Sequence, residues 1–216
     1  MRVPVLTAGA VGVAVVAAVV QYAVPAAVPT LQRDPGGLPA GEWWRLLTPL
    51  LVQTLGWYHV VTNLVTLALV GAVAERQLGR WRWAILFAVG TVAGQVAAYA
   101  WHEPGGGYSI AVCGLAGGVV GWSLSDPPNA SRWTVTVVGC YVAALSGLGV
   151  GGIWGALAMV TVAALVLPHV PVVAGLGASS GLATVLALDA DLHGVSLVAG
   201  VVTVLALAAL HKRQVQ

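Results

Sequence analysis

Residues 105–122 read GGGYSIAVCGLAGGVVGW, three glycines followed by an apolar run that holds one hydroxyl and one thiol. The hydroxyl belongs to Ser109 and the thiol to Cys113. The run from Ser109 onward is close to the length of a helix that crosses a bilayer. A nucleophilic side chain is therefore predicted at the first turn of a membrane helix, directly after a glycine loop.

The composition of the whole chain indicates a membrane protein. Its 216 residues are 59% hydrophobic and only 7% charged, and the mean hydropathy is +0.92. A soluble domain averages about 25% charged residues, so this chain cannot cover a soluble surface. We expect one all-α, polytopic transmembrane domain over residues 1–216. The net charge of +2 comes from scattered residues, which predicts no nucleic-acid partner.

Five apolar runs are long enough to be membrane helices. They cover about residues 5–27, 55–75, 82–101, 109–125 and 191–210. The first is too long for a signal-peptide core, so we expect it to be retained as a helix. Prolines, aromatic residues and charges are mixed between residues 28 and 54, which is typical of an interfacial loop with short helices.

The region 132–188 allows two interpretations. Glycines between Gly147 and Gly152 interrupt the apolar run once, and PHVP (Pro168 to Pro171) interrupts it again. Three short crossings fit these breaks, and so does one crossing with buried re-entrant pieces.

The cations predict the orientation of the chain. If the N-terminus is inside, seven of the nine Lys and Arg residues are cytoplasmic, and only Arg33 and Arg45 are outside. The seven are Arg2, Arg76, Arg80, Arg82, Arg132, Lys212 and Arg213. Both termini are then cytoplasmic, and the total number of crossings is six or eight.

The two cysteines do not indicate a metal centre or a disulfide. Cys113 and Cys140 both lie in apolar runs and have no metal-type spacing, so we expect them to pack inside helices. No metal and no cofactor are predicted.

Several polar residues lie at the ends of apolar runs that face outward. His59 and Asn63 are four residues apart and share one helix face, Ser109 opens the fourth run, and His193 opens the last. Taken singly, they are ordinary interhelical, capping or interfacial residues. Together, a serine and a histidine are the minimum for nucleophilic acyl transfer, while Asn, His and free helix N–H groups can stabilise an oxyanion.

These motifs resemble the rhomboid intramembrane serine proteases. The similarity covers about Trp43 to Gly121 and returns from Asp191 to about Leu205. WWRLLTPL resembles the Trp-Arg element of the rhomboid first loop, which implies that Trp44 and Arg45 anchor this loop. GWYHVVTNLVTLALVGAVAERQLG resembles the second rhomboid helix, with its His, Asn and Glu at His59, Asn63 and Glu75.

The remaining two motifs carry the implied chemistry. GYSIAVCGLAGGVVG resembles the Gly-x-Ser helix, with Gly107 and Ser109 in register, and LHGVSLVAG resembles the final helix, with its catalytic histidine at His193. The resemblance implies a six-helix core in which Ser109 and His193 are catalytic. It also implies that His59, Asn63 and Gly107 bind the oxyanion or substrate, and that Trp44, Arg45 and Glu75 are structural.

Two other stretches compete for the serine motif. A rival register places Cys113 in the nucleophile position, but that position lies about 6 Å deeper along the helix, where water has less access. GASSG (Gly177 to Gly181) superficially looks like a serine motif, and we interpret it as flexible or tightly packed backbone.

The sequence departs from the rhomboid pattern at three points. Ile110 replaces the small residue usual after the nucleophile and is expected to crowd the oxyanion N–H. Gln53 stands near the position of a common loop histidine. The spacing from Ser109 to His193 exceeds that of a six-helix core by about two short helices, which favours eight spans.

The implied function is that of an intramembrane serine endopeptidase in a bacterial cell membrane. It would cleave membrane-anchored proteins near the outer face. Asp189 and Asp191 lie close to His193 in sequence, so either could be a triad acid, but a Ser-His dyad is favoured because both can be solvated loop charges. One alternative is an inactive relative that binds transmembrane helices. A small transporter is disfavoured, because most ionisable groups lie at helix ends. The substrate and the oligomeric state do not follow from the sequence.

Overall fold

The computed structural model describes residues 3–125 and 130–214, with side chains as far as Leu210. Within these residues the protein contains eight α-helices and no β-strand. They are α1 (Val5–Ala23), α2 (Ala27–Leu31), α3 (Trp57–Leu78), α4 (Arg80–Ala100), α5 (Ser109–Ser125), α6 (Arg132–Val166), α7 (Val172–Leu188) and α8 (Leu192–Gln214). Arg2 and the side chains of Lys212 and Arg213, which enter the cation count, lie outside the described parts.

The predicted apolar runs become helices with small changes at their ends. Helix α3 begins after Gly56 and ends before Gly79, and both glycines have a φ of 83°. This left-handed conformation is open to glycine and stops a helix of L-residues. Helix α3 therefore continues three residues past the expected end, whereas α5 has the predicted bounds.

Helix α6 consists of two arms that fold back on each other. The helical dihedral angles are lost at Gly151 and Gly152. The backbones of Gly147 and Gly155 touch, since a Cβ on Gly147 would lie 2.7 Å from the Cα of Ala156. Residues eight apart on a continuous helix would be about 12 Å apart. The chain therefore turns back at these two glycines.

The two arms of α6 lie side by side, and α7 follows the second arm. Arg132 opens the first arm and donates hydrogen bonds to the carbonyls of Pro168 and Val170, just after the second arm, at 2.6 and 3.0 Å. With α7 this region contains three helical segments. Among the described residues, α1, α3, α4, α6 and α8 are long and apolar enough to cross a membrane, whereas α5 and α7 are shorter apolar helices. The choice between six and eight spans therefore stays a prediction.

Helix α5 lies at the centre of the bundle and is buried on nearly every side. It meets α4 and α8 at glycines that let backbones approach closely. A Cβ on Gly90 of α4 would lie 2.6 Å from the Cα of Gly114, and a Cβ on Gly200 of α8 would lie 2.9 Å from the Gly118 nitrogen. Ser109, the first residue of α5, is thus carried by the most tightly packed helix.

The segment between α1 and α3 is an irregular loop, as expected. It contains the short α2 and two 3₁₀ turns, Trp43–Leu46 and Thr48–Leu51. GASSG, interpreted as flexible or tightly packed backbone, is regular helix. It lies within α7, where Ser179 is buried and its hydroxyl donates to the Gly175 carbonyl at 2.9 Å. Cys113 and Cys140 are both free thiols.

Candidate active site

Ser109 and His193 come together at the ends of two buried helices. Ser109 is the first residue of α5, and His193 is the second residue of α8. Ser109 Oγ lies 2.9 Å from His193 Nε2, although the two residues are 84 positions apart in the chain. Ser109 is 8% exposed and the His193 side chain 27%. The pair is therefore shielded but not sealed from water.

Asp191 contacts the other side of the His193 ring. Its Oδ1 lies 2.9 Å from His193 Nδ1 and accepts the backbone N–H of His193 at 2.7 Å. Burial raises the pKa of the Asp191 carboxyl, but its hydrogen bonds with His193 outweigh that effect and leave the pKa below its ordinary value. Asp191 is thus not the solvated loop charge expected, whereas Asp189 is exposed.

His59 and Asn63 meet the backbone of the glycine loop. Gly107 has a φ of 138°, and its N–H donates to the Pro49 carbonyl at 2.8 Å. A Cβ on Gly107 would lie 3.1 Å from His59 Cε1 and 3.3 Å from Asn63 Nδ2. Glycine is needed here for both its conformation and its size. These two α3 side chains therefore contact the loop at Gly107, two residues before Ser109 in the chain.

Gln53 holds Asn63 in place. Asn63 Nδ2 donates to Gln53 Oε1 at 2.6 Å. The Gln53 backbone in turn pairs with the side-chain amide of Gln21 on α1, through bonds of 2.7 and 2.9 Å. The loop position that departs from the rhomboid pattern is therefore part of a hydrogen-bond chain. Gln21 was missed by sequence reasoning, although a lone amide in an apolar run is a signal for such a contact.

Ile110, which was expected to crowd the oxyanion N–H, packs its side chain between α4 and α8. It is 2% exposed, and its side chain lies against Gly94 of α4, where an added Cβ would come within 2.6 Å of Ile110 Cγ2. Ser196 of α8 lies on the same side. The large residue fits because α4 has a glycine opposite it. The Ile110 side chain thus packs in the α4–α8 interface.

Cys113 lies one turn below Ser109 and is fully buried. Its thiol is 3.2 Å from the hydroxyl of Tyr141, and the same hydroxyl donates to the Ser109 carbonyl at 3.2 Å. A thiol sealed among side chains has no water within reach, so the geometry does not favour Cys113 as a nucleophile. Tyr141 was missed, because an aromatic residue in an apolar helix gives no signal of its partner.

Arg45 and Trp44 hold the loop before α3 through hydrogen bonds. Arg45 pairs with Glu42 and donates to the carbonyls of Pro29 and Gln32 at 3.0 and 2.7 Å. Trp44 remains 46% exposed, with its indole N–H on the Thr30 carbonyl. These are the contacts expected of residues that anchor an interfacial loop.

Arg33 was counted only as an outer cation, but it is buried at 5% exposure. It donates to Gln95 Oε1 of α4 at 2.6 Å and to the Glu103 carbonyl at 2.7 Å. Its backbone also pairs with Gly105 through two hydrogen bonds. Arg33 therefore joins the first loop to the glycine loop before Ser109.

Glu75 lies near the C-terminal end of α3, at the end of the bundle opposite to Ser109. Its carboxylate accepts the backbone N–H groups of Leu6 and Thr7 at 3.1 and 2.8 Å, and the Thr7 hydroxyl at 2.9 Å. These N–H groups belong to the first turn of α1, which has no partner for them within the helix. Glu75 thus caps α1 from α3.

Fold and site together define a multi-pass integral membrane protein with a serine–histidine pair at helix ends. Residues 40–209 match the Rhomboid domain. Because this match spans well over half of the chain, the protein belongs to the rhomboid family.

Two proteins of Bacillus subtilis (strain 168) are similar to parts of this chain. "Rhomboid protease GluP" is 33% identical over 87 residues, which are 40% of this chain and 17% of that protein. "Putative rhomboid protease YdcA" is 35% identical over 63 residues, which are 29% of this chain and 31% of that protein. The matched segments thus cover less than a third of either relative. No solved structure matches the chain.

Proposed function

We propose that this protein is an intramembrane serine endopeptidase that cleaves membrane-anchored proteins. The observation that carries the proposal is the 2.9 Å separation of Ser109 Oγ and His193 Nε2, in a chain of the rhomboid family. A hydroxyl is a weak nucleophile by itself and needs an adjacent base within hydrogen-bond reach. This pair meets that requirement at the end of a rigidly packed helix.

The reaction proceeds in two steps. Ser109 Oγ attacks a peptide carbonyl carbon while His193 Nε2 takes the hydroxyl proton, which gives a tetrahedral oxyanion. Collapse breaks the C–N bond, and His193 returns the proton to the leaving amine. Water then attacks the acyl-enzyme with His193 again as the base, which frees the carboxylic acid and restores Ser109.

The oxyanion is stabilised by donors at the glycine loop. The N–H of Ser109 belongs to the first turn of α5, where helix N–H groups have no partner in the helix. Among the described residues it donates to no other group. His59 and Asn63 add side-chain donors, and Gln53 fixes the orientation of the Asn63 amide. Each such donor typically contributes about 10²- to 10³-fold in rate.

The substrate is a protein whose membrane helix unwinds readily near the outer face. The site lies where α3, α5 and α8 begin, so a peptide must be extended there to reach Ser109. Both termini are cytoplasmic and the site is near the outer surface of a bacterial membrane, by the excess of cations at the other helix ends. Residues 1–216 act as a single domain.

A fluorophosphonate probe and a model transmembrane substrate test this function. We expect the purified parent protein to be labelled and to cleave, and Ser109→Ala to lose both activities by several orders of magnitude. His193→Ala should also lose them, because the hydroxyl then has no base.

Cys113→Ala is the matched control. It removes a small buried group one turn below Ser109 and should cost only a packing defect of about 1–2 kcal/mol. Full activity in Ser109→Ala with none in Cys113→Ala would mean that the thiol is the nucleophile. No labelling and no cleavage by the parent protein across several substrates would instead point to an inactive helix-binding relative.

A further inference from the structure

We infer that Asp191 is a positioning residue that orients His193 and completes a Ser109–His193–Asp191 triad. This inference rests on the proposed function and adds a third side chain to it. Asp191 precedes α8 in the turn after α7, two residues before the histidine. Its carboxylate touches no reacting atom, so it acts only through the His193 ring.

The three side chains form a continuous row of contacts through the His193 ring. Ser109 Oγ and Asp191 Oδ1 contact opposite nitrogens of the same ring, each at 2.9 Å. The carboxylate is itself fixed, because Oδ1 also accepts the His193 backbone N–H at 2.7 Å. The Asp191 side chain is 34% exposed. A half-buried, hydrogen-bonded carboxylate holds the ring in one orientation.

This arrangement decides which ring nitrogen carries the proton. A neutral imidazole has one donor and one acceptor nitrogen. The Asp191 carboxylate can only accept, so Nδ1 bears the hydrogen and Nε2 presents its lone pair to Ser109. Nε2 is thereby prepared to take the hydroxyl proton. When the ring becomes charged, the carboxylate stabilises the imidazolium.

Few other charges face the ring. His59 on α3 is near enough for its charge to interact with that of His193. Cys113 on α5 and Tyr141 on α6 are buried beneath the site, near Asp191. Asp189 directly follows the last residue of α7, and its side chain is exposed. Within the described residues, Asp191 is the one acid in contact with the His193 ring.

A simpler role for Asp191 is that of a helix cap. Asp is a favoured residue before a helix, where its side chain accepts an N–H of the first turn. The bond to the His193 N–H fits that role, but a cap does not need the bond to Nδ1. A test must therefore keep the cap and change only the ring contact.

Two substitutions make this separation. Asp191→Asn keeps a capping oxygen of the same reach but removes the charge and can donate to Nδ1, which favours the wrong tautomer. Asp191→Ser also caps well but is too short to reach the ring. Asp189→Asn removes an exposed charge two residues earlier and serves as the control.

The experiment measures kcat, KM and the pH dependence of kcat/KM for the four proteins, each with its thermal stability. We expect both Asp191 variants to lose between about 10- and 10⁴-fold in kcat with little change in KM. In Asp191→Asn the acid limb of the profile should move to lower pH, because the imidazolium has lost a stabilising charge. Asp189→Asn should match the parent in every value.

A second measurement does not depend on turnover. Nitrogen NMR of ring-labelled histidine in the purified protein should show His193 protonated at Nδ1 in the parent and not in Asp191→Asn. An active parent with unchanged rates, pH profile and tautomer in both Asp191 variants would reduce Asp191 to a cap. If the parent is inactive and unlabelled by fluorophosphonate, the proposed function fails, while the tautomer still decides whether Asp191 orients the ring.

Discussion

At the scale of single residues, Gly94 determines which residue can follow the serine. Ile110 is large for its position, and the structure accommodates it by leaving α4 without a side chain opposite. The two positions therefore form one unit. A change at Gly94, six residues before the end of α4, should act on the serine through Ile110.

Gly94→Ala is expected to destabilise the protein by about 1–3 kcal/mol, because the new methyl group would overlap Ile110 and Ser196. It should also lower the rate of fluorophosphonate labelling, since the first turn of α5 must shift. Thermal unfolding and labelling kinetics measure the two effects.

The double variant Gly94→Ala with Ile110→Ala should recover part of both losses, because it removes the side chain that the methyl group meets. Gly177→Ala on α7 is a control, with nothing within 4 Å of the new Cβ. Strict additivity of the Gly94 and Ile110 changes would show that the two residues do not act as a unit.

Gln53 gives a second prediction at this scale. Gln53→Met removes the acceptor of Asn63 Nδ2, so the amide is no longer held and kcat should fall by up to about 10²-fold. Gln53→Glu keeps an acceptor at the same reach and should retain more activity than Gln53→Met. Equal activity in the two variants and the parent would mean that Asn63 needs no support from the loop.

At the scale of elements, the cap on α1 connects two helices that are far apart in sequence. Glu75→Ala would leave the buried Thr7 N–H, the partly buried Leu6 N–H and the Thr7 hydroxyl without an acceptor. We expect a loss of about 1–3 kcal/mol of stability for such unsatisfied groups. Thermal unfolding in detergent is the measurement.

Asp189→Asn is the comparison for that variant, since its side chain is exposed and makes no hydrogen bond within the described residues. Its unfolding temperature should stay near that of the parent. A Glu75→Ala protein as stable as Asp189→Asn would show that water or lipid satisfies the first turn of α1.

The bounds of the helices show how much of the fold could be predicted from the sequence. The bounds of α5 were predictable because Pro104 and the glycines end the preceding run and the apolar residues begin at Ser109. The end of α3 was less so, since hydropathy fades at Glu75 while the helix continues to Gly79. Hydropathy measures solvation, whereas helices end where the backbone conformation changes.

The site was only partly predictable, because some of its contacts join distant segments. Four residues could be found from their residue types and their places in the motifs: Ser109, His193, His59 and Asn63. Arg33 and Tyr141 have roles that depend on contacts with other segments, which one sequence does not contain. For Asp191 the sequence left a triad acid and a solvated charge open, because the choice depends on the orientation of the His193 ring. The packing of Ile110 was not predictable, because Gly94, its partner, lies in another helix.

At the scale of the whole molecule, exposed tryptophans lie at both ends of the bundle. Trp43, Trp57 and Trp154 lie at the end that carries the site, whereas Trp81 and Trp133 open α4 and α6 at the other end. Tryptophan prefers the boundary between lipid and water. Two such belts fit a molecule that spans a bilayer.

Reporter fusions test the orientation. A reporter that is active only in the cytoplasm should be active when fused at Gln216 and inactive when inserted at Pro104, because the described part of α8 begins at the end of the bundle that carries Pro104 and runs to the other end. A reporter active only outside should give the reverse result. The opposite pattern at both positions would invert the proposed topology.

The glycine contacts of α5 have a consequence for motion. A helix whose backbone touches its neighbours cannot tilt or slide without steric overlap, so the serine keeps a constant position during turnover. Any opening that admits a peptide must then come from elements that pack less closely around α5, such as the loop 28–54. Amide hydrogens in α5 should accordingly exchange with deuterium more slowly than those of that loop. The slowest step of catalysis would then be a movement of these outer elements, while Ser109 keeps its position.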